Sequence, residues 1–453
     1  MSKNSISIII FIIILIIFIN AFSASYTSRN ISNLAYIFAL GIDKGENAKI
    51  KISAQLSKIA TSTGGGGSSG EGNNPILISC EANSIFSGIN LLNTYIGKEL
   101  NLAHCSVFVF SKEFAQDGIS SEIYSLINNE EVRPSTNLVL STCDAYDYLK
   151  NSNPNLERLT TKYYETFSIT DRFTGYISNI TIGNFYNTLA SKDEEATAIL
   201  GGLNSAARSE NSKSSSNSNK SDSSDTEKLS SESSGSSNSS NNSSNESSNQ
   251  SSQEQESSII NPEDLTAGTS SASGKRGTEN IGLAVFENDK FRGELTATET
   301  ICHLLINNDL DSCIISIGNP IVESEKMELQ LFPSKKTKIT INIIDGIPHI
   351  SIKLYLNADV MTLEQDIDYE IPETLEKISS TAKDYLKNEF DKYLNKVSKE
   401  YNCDIDEFYT KAIGHFATIP EWKNFNWKEK FKNAVFNVDL DFNVTSSLLV
   451  TKT

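Results

Sequence analysis

The chain has 453 residues and a formal net charge of −18. This length is enough for two or three domains. The phosphates of nucleic acids repel a strongly acidic protein, so the charge argues against nucleic acid as a partner. Lysine and arginine are scattered through the sequence and form no basic stripe that would oppose this conclusion.

The sequence opens with an unbroken apolar run from Ile8 to Ile19, followed by the small residues Ala21, Ser23 and Ala24. About a dozen apolar residues are typical of a signal-peptide core, whereas about 20 are needed to span a bilayer. Residues 1–28 are therefore predicted to be a signal peptide or an N-terminal membrane anchor. Either interpretation predicts an exported protein.

Strand and helix patterns alternate in the next region, residues 29–200. The almost wholly apolar run Cys105–Ser111 predicts a central strand that is buried on both faces. The other predicted elements are strands at Leu34–Asp43, Lys49–Ala60, Ile76–Glu81 and Asn137–Cys143, and helices starting near Ile85 and spanning Glu113–Ile127. This order predicts an α/β or α+β unit built on a central sheet.

Two low-complexity stretches interrupt the pattern. The glycine-rich run Gly64–Gly70 lacks the G-K-[ST] ending of a phosphate-binding loop, and a flexible surface hairpin explains it better. Serine and asparagine dominate from about Ser205 to Ser258, with almost no apolar residues that could offset the entropy of ordering. Residues 201–280 are therefore predicted to be a disordered linker.

The C-terminal region, residues 281–453, begins with strand patterns that alternate well. Asn288-Asp289 and Asp345-Gly346 are turn signals, and each predicts a hairpin between the strands on either side. Separate strands are predicted at Met327–Phe332, Lys336–Ile344 and Pro348–Val360. Alternating apolar residues predict a closing strand between Val435 and Val444.

A long amphipathic helix is predicted after Pro372, which suits a first helical turn. Its apolar residues recur every three or four positions and define one buried stripe: Leu375, Ile378, Ala382, Leu386, Phe390, Tyr393, Val397 and Tyr401. The overall fold class is therefore predicted to be α+β. Each domain would have a central sheet with packed helices, and the C-terminal domain would carry its long helix on an antiparallel-leaning sheet.

Several motifs, in this order along the chain, resemble the C-subunits of spore germinant receptors, the Ger(x)C type. They are Arg29–Ala35, Ala39–Gly45, Leu102–Phe110, Glu130–Ser135, and Cys403–Tyr409 followed by Trp422 and Trp427. The resemblance implies a subunit that assembles with integral-membrane A- and B-type subunits in the spore inner membrane. It also implies a lipid-bearing cysteine before Arg29, but the first cysteine of this chain is Cys80. We therefore expect the apolar N-terminal segment to anchor the protein at the extracytoplasmic face, or its partner subunits to retain it there.

No catalytic, cofactor-binding or metal-binding pattern stands out. The six cysteines form no C-x-x-C pair, and the four histidines show no metal-ligand spacing. We expect the cysteines to be free thiols and the histidines to be structural. Asp404 and Asp406 could act as an acid–base or cation-binding pair. A cap on the turn after the long helix is the better explanation of Asp404.

The sequence therefore predicts a non-enzymatic receptor subunit without cofactors. Partner contacts are predicted at exposed apolar and aromatic residues around the C-terminal helix or at a sheet edge formed by Leu102–Phe110. Arg29, Asp43 and Lys44 are the N-terminal candidates for such contacts. The alternative is an extracytoplasmic solute-binding protein of a transporter, which would consist of two similar lobes.

Overall fold

A computed structural model gives the structure of the protein. It describes residues 12–15, 33–56, 75–152, 160–191, 194–205, 207–208, 265–272, 274, 276–322, 325–362 and 371–445. Three predictions lie wholly or largely outside these residues. They concern most of the N-terminal apolar segment, the glycine-rich run at 64–70 and the serine- and asparagine-rich stretch.

Nine strands of the described chain form the first sheet, and four parallel strands lie at its centre. The parallel strands lie side by side in the order β1 (Leu34–Lys44), β5 (Val107–Ser111), β6 (Asn137–Ser141) and β7 (Thr197–Leu203). The remaining strands are β2 (Ile50–Leu56), β3 (Ile76–Ala82), β4 (Glu99–Asn101), β8 (Thr278–Glu287) and β9 (Lys290–Leu295). Antiparallel β2 and β3 extend the sheet beyond β1, and antiparallel β8 and β9 extend it beyond β7. The short β4 pairs with the start of β1 in parallel, as a fifth parallel strand.

Helices cover both faces of this sheet, which explains why β5 is apolar throughout. One face packs against α1 (Ile85–Ile96), α2 (Lys112–Asp117), α3 (Ser120–Ile127) and α7 (Ile182–Ser191). The other packs against α4 (Ala145–Asn151), α5 (Thr160–Glu165) and α6 (Phe167–Thr174). Residues alternate between the faces, so Phe108 and Phe110 join one core and Val107 and Val109 the other.

The helix predicted at Glu113–Ile127 is two helices. Gly118 separates α2 from α3 with a φ of 108°, which only glycine adopts readily. The Asp289 side chain approaches Gly118 from the β8–β9 turn and accepts the backbone N–H of Ser120. The hydrophobic period continues across the break, so the sequence pattern alone could not reveal it.

The second sheet has the order β10 (Cys313–Gly318), β11 (Lys326–Ile344), β12 (Ile347–Val360), β13 (Val435–Thr445) within the described residues. The first three strands are antiparallel, and β13 runs parallel to β12. Asp345 and Gly346 both have positive φ, so the predicted hairpin is confirmed. The two strands predicted at Met327–Phe332 and Lys336–Ile344 are one strand, with irregular pairing near Pro333 and Lys335.

Helix α8 (Ala297–Asn307) precedes the second sheet, and helix α9 (Pro372–Asn395) packs against both of them. The predicted stripe is confirmed: Ile378, Ala382, Leu386, Phe390, Tyr393 and Val397 are buried, while the end residues Leu375 and Tyr401 are half-buried. The helix continues as a π-helical turn at Lys396–Tyr401. Three short helices follow before β13: α10 (Tyr409–Ala412), α11 (Ile419–Phe425) and α12 (Trp427–Phe431).

The two sheets share one continuous hydrophobic core. Val285 of β8 and Leu295 of β9 belong to the same buried cluster as α8, α9 and the inner face of the second sheet. The β8–β9 hairpin therefore completes the first sheet although it follows the serine- and asparagine-rich stretch. The division into regions 29–200 and 281–453 remains a prediction about sequence units.

Phe390→Ala tests the importance of the α9 stripe. The fully buried Phe390 side chain would leave a cavity, so we expect a loss of about 3–5 kcal/mol in the free energy of unfolding. Urea denaturation of the full chain measures this value. Lys387→Ala on the exposed face of the same helix is the matched control and should change stability little. Equal losses in both variants would contradict the packing described here.

Candidate functional site

Asp43, one of the sequence-predicted contact residues, has a structural role at the end of β1. The carboxylate is buried and accepts the backbone N–H groups of Ala145 at 2.6 Å and Tyr146 at 3.0 Å. These are the first residues of α4, so Asp43 caps that helix from a distant strand. Burial raises the pKa of the carboxyl group above its ordinary value, and the two backbone bonds act in the opposite direction.

Lys44 lies beside Asp43 in the chain but has a different environment. Its ammonium group is exposed and forms an ion pair of 2.9 Å with Asp117 at the end of α2. Arg29, the third predicted contact residue, lies outside the described residues. The structure therefore gives Asp43 and Lys44 separate local roles, and their use as a partner surface remains a prediction.

The predicted sheet edge at Leu102–Phe110 is wrong. Strand β5 occupies Val107–Ser111 and pairs with β1 on one side and β6 on the other, so it is an internal strand. All five of its residues are buried. The apolar character of this stretch reflects burial between two helix layers, and the strand offers no free edge to another protein.

A buried aspartate organises the chain after helix α9. The Asp404 carboxylate accepts the backbone N–H groups of Phe408 and Tyr409 at 3.0 and 2.8 Å, and the indole N–H of Trp427 at 2.9 Å. The predicted capping role of Asp404 is confirmed, and the contact with Trp427 adds a bond across 23 residues. Burial raises the pKa of Asp404 to about 7 although all three donors favour the charged form.

Asp406 forms a second buried network two residues later. One carboxylate oxygen lies 2.8 Å from Nδ1 of His303 on α8, and the other accepts the hydroxyl of Tyr393 on α9 at 2.8 Å. The Asn307 amide donates to the same carboxylate at 3.3 Å. The network connects two helices to the turn at 404–408, so His303 has the structural role predicted for it.

The residues after this turn form a compact group of aromatic side chains, which we call the aromatic cap (residues 408–431). The ring centroids of Trp422 and Trp427 lie 5.8 Å apart, and both indoles are buried. The phenylalanine rings of the group are Phe408, Phe416, Phe425 and Phe431. Two aliphatic residues of the cap remain in solvent, since Ile413 is 39% exposed and Ile419 is 68% exposed.

Polar contacts attach the aromatic cap to the first sheet. The Lys428 ammonium group lies 2.7 Å from Glu195, just before β7, and 3.1 Å from Glu287 at the end of β8. The backbone N–H of Glu195 donates to the carbonyl of Asp404, and the hydroxyl of Tyr409 donates to Glu194. The cap therefore bridges the two halves of the protein.

No local pattern in the sequence predicted this bridge. The chain contains only two tryptophans, Trp422 and Trp427, and both lie in the cap. Their closeness in the sequence was the available signal, together with the Asp404-Ile405-Asp406 pattern. The contact with Glu195 had no sequence signal, since more than 200 residues separate Glu195 from the cap.

The remaining reactive side chains show no further centre within the described residues. No group of three or more histidine, cysteine, aspartate or glutamate side chains in this part is arranged to hold a metal ion. All six cysteines are free thiols, and burial raises the pKa of Cys105 and Cys313 to about 12. None of the described helices combines the length and apolar character needed to cross a membrane.

Two family models match the chain in succession. Residues 27–203 match "Spore germination protein N-terminal domain", and residues 281–447 match "Spore germination B3/ GerAC like, C-terminal". "Spore germination protein KC" of Bacillus subtilis (strain 168) is 24% identical over 170 residues, which cover 37% of this chain and 42% of that protein. A solved structure titled "Crystal Structure of the GerBC protein" has 14% identity and a TM-score of 0.48, with coverage of 89% of this chain and 96% of that one.

Asp43→Ala tests the capping of α4 from β1. The substitution leaves two backbone N–H groups without their acceptor, so we expect a loss of about 1–3 kcal/mol in the free energy of unfolding. Lys44→Ala removes only an exposed ion pair and should change stability little. Urea denaturation of both variants provides the comparison. A larger loss for Lys44→Ala than for Asp43→Ala would contradict this assignment.

The raised pKa of Asp404 predicts a fluorescence titration. In Trp422→Phe, Trp427 is the only tryptophan, and its indole donates to a carboxyl group that loses its proton as the pH rises through about 7. We expect the emission to change over about two pH units around that value. Trp427→Phe leaves only Trp422, which does not contact Asp404 through a hydrogen bond, and is the control. A flat profile for Trp422→Phe would show that Asp404 does not titrate there.

Proposed function

Because the chain belongs to the Ger(x)C-type family of spore germination proteins, we propose that it is the C-subunit of a nutrient germinant receptor. In this proposal it binds integral-membrane receptor subunits of the A and B type, and the assembled receptor triggers germination. The succession of both family domains along most of the chain is the observation that carries the proposal. Spore germination protein KC is matched over only 42% of its length, so the binding of partner subunits is proposed for this chain.

The aromatic cap is the surface that we assign to the partner. Ile413 and Ile419 are exposed in the same segment that buries Trp422 and Trp427. Exposed apolar residues beside a well-packed aromatic group are typical of the centre of a protein interface. The cap carries four lysines and two glutamates, whereas the whole chain has a net charge of −18. This local reversal of charge favours an acidic partner surface or the anionic surface of a membrane beside it.

The position of the cap on the first sheet supports contact near the membrane. Strands β1 and β7 run in the same direction, so the N-terminal ends of both strands lie at the same end of the sheet. The cap contacts Glu194 and Glu195, which directly precede β7. The apolar run Ile8–Ile19 precedes Leu34 in the sequence, and β1 begins with Leu34 at that end of the sheet. We therefore propose that this end of the sheet faces the spore inner membrane from its extracytoplasmic side.

A non-enzymatic role is part of the same proposal. The buried carboxylates Asp43, Asp404 and Asp406 are all occupied by hydrogen bonds that hold helices and turns in place. An acid or base that reacts with a substrate needs a free lone pair or proton near that substrate. The two sheets also differ in size and strand order, which argues against the two similar lobes of a transporter solute-binding protein.

A pull-down from spore membranes tests the proposal. The tagged full chain should recover multi-spanning receptor subunits, and Ile413→Asp combined with Ile419→Asp should reduce that recovery at least about tenfold. Ile169→Asp on α6 is the matched control, because Ile169 is also largely exposed (58%) but lies outside the cap. Recovery without any multi-spanning protein would overturn the receptor function. Equal recovery with all variants would instead overturn the assignment of the interface to the cap.

A further inference from the structure

Four exposed lysines lie on the β11–β12 hairpin of a protein that is otherwise strongly acidic. From residue 333 to residue 356 the sequence has four lysines and one acidic residue, whereas the whole chain has a net charge of −18. One tyrosine lies among these lysines. The group, which we call the lysine patch, consists of Lys335, Lys336, Lys338, Lys353 and Tyr355.

An irregular stretch of β11 holds three of these lysines in solvent. The register between β11 and β12 shifts twice between Pro333 and Lys338. Within this stretch, Thr337 donates its backbone N–H to the Asn308 side chain at 2.6 Å and its hydroxyl to the carbonyl of Leu305 at 2.7 Å. Both acceptors lie at the end of α8, so the bulge is fixed from its inner side. Such bulges change the direction of neighbouring side chains.

Tyr355 brings three ammonium groups close together. Those of Lys335, Lys338 and Lys353 lie 5.2, 5.8 and 5.8 Å from the centroid of its ring. Lys353 forms an ion pair of 2.9 Å with Asp439. In the described part of the chain, neither Lys335 nor Lys338 has a carboxylate partner. Like charges repel one another, so an added anion beside these two lysines is favoured.

Strand β11 also has an unpaired edge beside the lysine patch. Strand β10 pairs with β11 only over Lys326–Leu331, whereas β12 continues beside β11 as far as Ile344. No strand among the described residues pairs with the other side of residues 332–344. An unpaired strand edge offers backbone N–H and C=O groups to an extended peptide.

The acidic residues around the patch restrict the shape of an anionic partner. Asp345 lies in the hairpin turn, and Asp439 and Asp441 lie on β13, where Asp441 is paired with Tyr355. All three are exposed. A flat anionic membrane surface would meet these carboxylates together with the lysines, so attraction and repulsion would largely cancel. A narrow chain along β11 contacts the unpaired lysines and avoids the carboxylates on β13.

We propose that the lysine patch and the unpaired edge of β11 bind an extended acidic segment of a partner polypeptide. The backbone of the segment would pair with β11, and its carboxylates would contact Lys335 and Lys338. The hairpin contains no arginine, so recognition depends on the number of carboxylates rather than on the planar fork of a guanidinium group. This surface is separate from the aromatic cap, and its binding does not depend on the receptor function.

Fluorescence anisotropy with the purified full chain tests the surface. The probe is a labelled oligo-L-glutamate of about eight residues, the length of a strand. The same peptide with N-methyl groups at alternate residues keeps the charge but loses backbone donors, and a glycine–serine peptide has no charge. We expect saturable binding of the first probe and at least about tenfold weaker binding of both control peptides. Binding should weaken as the salt concentration rises, because salt screens the exposed lysines.

A pair of double substitutions tests the lysines themselves. Lys335→Gln combined with Lys338→Gln removes two charges and retains most of each side chain. Lys377→Gln combined with Lys387→Gln makes the same change in net charge at two exposed positions of α9 and is the matched control. We expect the patch variant to bind oligo-glutamate at least about tenfold more weakly and the control variant to bind it unchanged.

Three results would overturn the inference. They are no binding of oligo-glutamate up to about 1 mM, equal affinity for the N-methylated peptide, or equal affinities of the patch variant and its control. Vesicles of phosphatidylglycerol provide a further arm. Vesicle binding that requires Lys335 and Lys338, without binding of oligo-glutamate, would assign the patch to a membrane and overturn the inference as well. None of these results affects the pull-down of membrane subunits, and a failed pull-down would leave peptide binding unchanged.

Discussion

The buried stripe of helix α9 fixes the position of most of the C-terminal half. Ile378, Leu386 and Phe390 pack between the second sheet and α8, and the same core continues to Val285 and Leu295 of the first sheet. Apolar burial of this extent is the main favourable term in folding, and it has no directional preference of its own. The end of the helix then brings Tyr401 to the first sheet, where its hydroxyl donates to the carbonyl of Glu294 at 2.9 Å.

Buried carboxylates, rather than the apolar core, fix how neighbouring helices, strands and turns are oriented. Asp43 joins β1 to α4, Asp404 joins the turn after α9 to Trp427, and Asp406 joins that turn to α8 and α9. A buried carboxylate is stable only when donors compensate for the lost hydration, so each one fixes the backbone groups around it. The aromatic cap depends on the hydrogen bonds of Asp404 and Asp406, because its short helices bury few residues apart from their rings.

The bridge between the halves fixes the proposed partner surface to the first sheet. The aromatic cap presents Ile413 and Ile419 to the outside and contacts Glu194 and Glu195 on its inner side. A partner on the outer surface would therefore bind a structural unit that is attached to the first sheet.

The sequence by itself determined the elements whose side chains repeat with a regular period. The α9 stripe, the Asp345-Gly346 hairpin and the buried strand β5 followed from spacing and turn chemistry, because these depend on neighbours in the chain. The family resemblance and the capping role of Asp404 also came from local patterns. Tertiary structure alone decided that Gly118 divides a helix and that Lys428 meets Glu195. These outcomes depend on contacts between residues far apart in the chain, which no local period encodes.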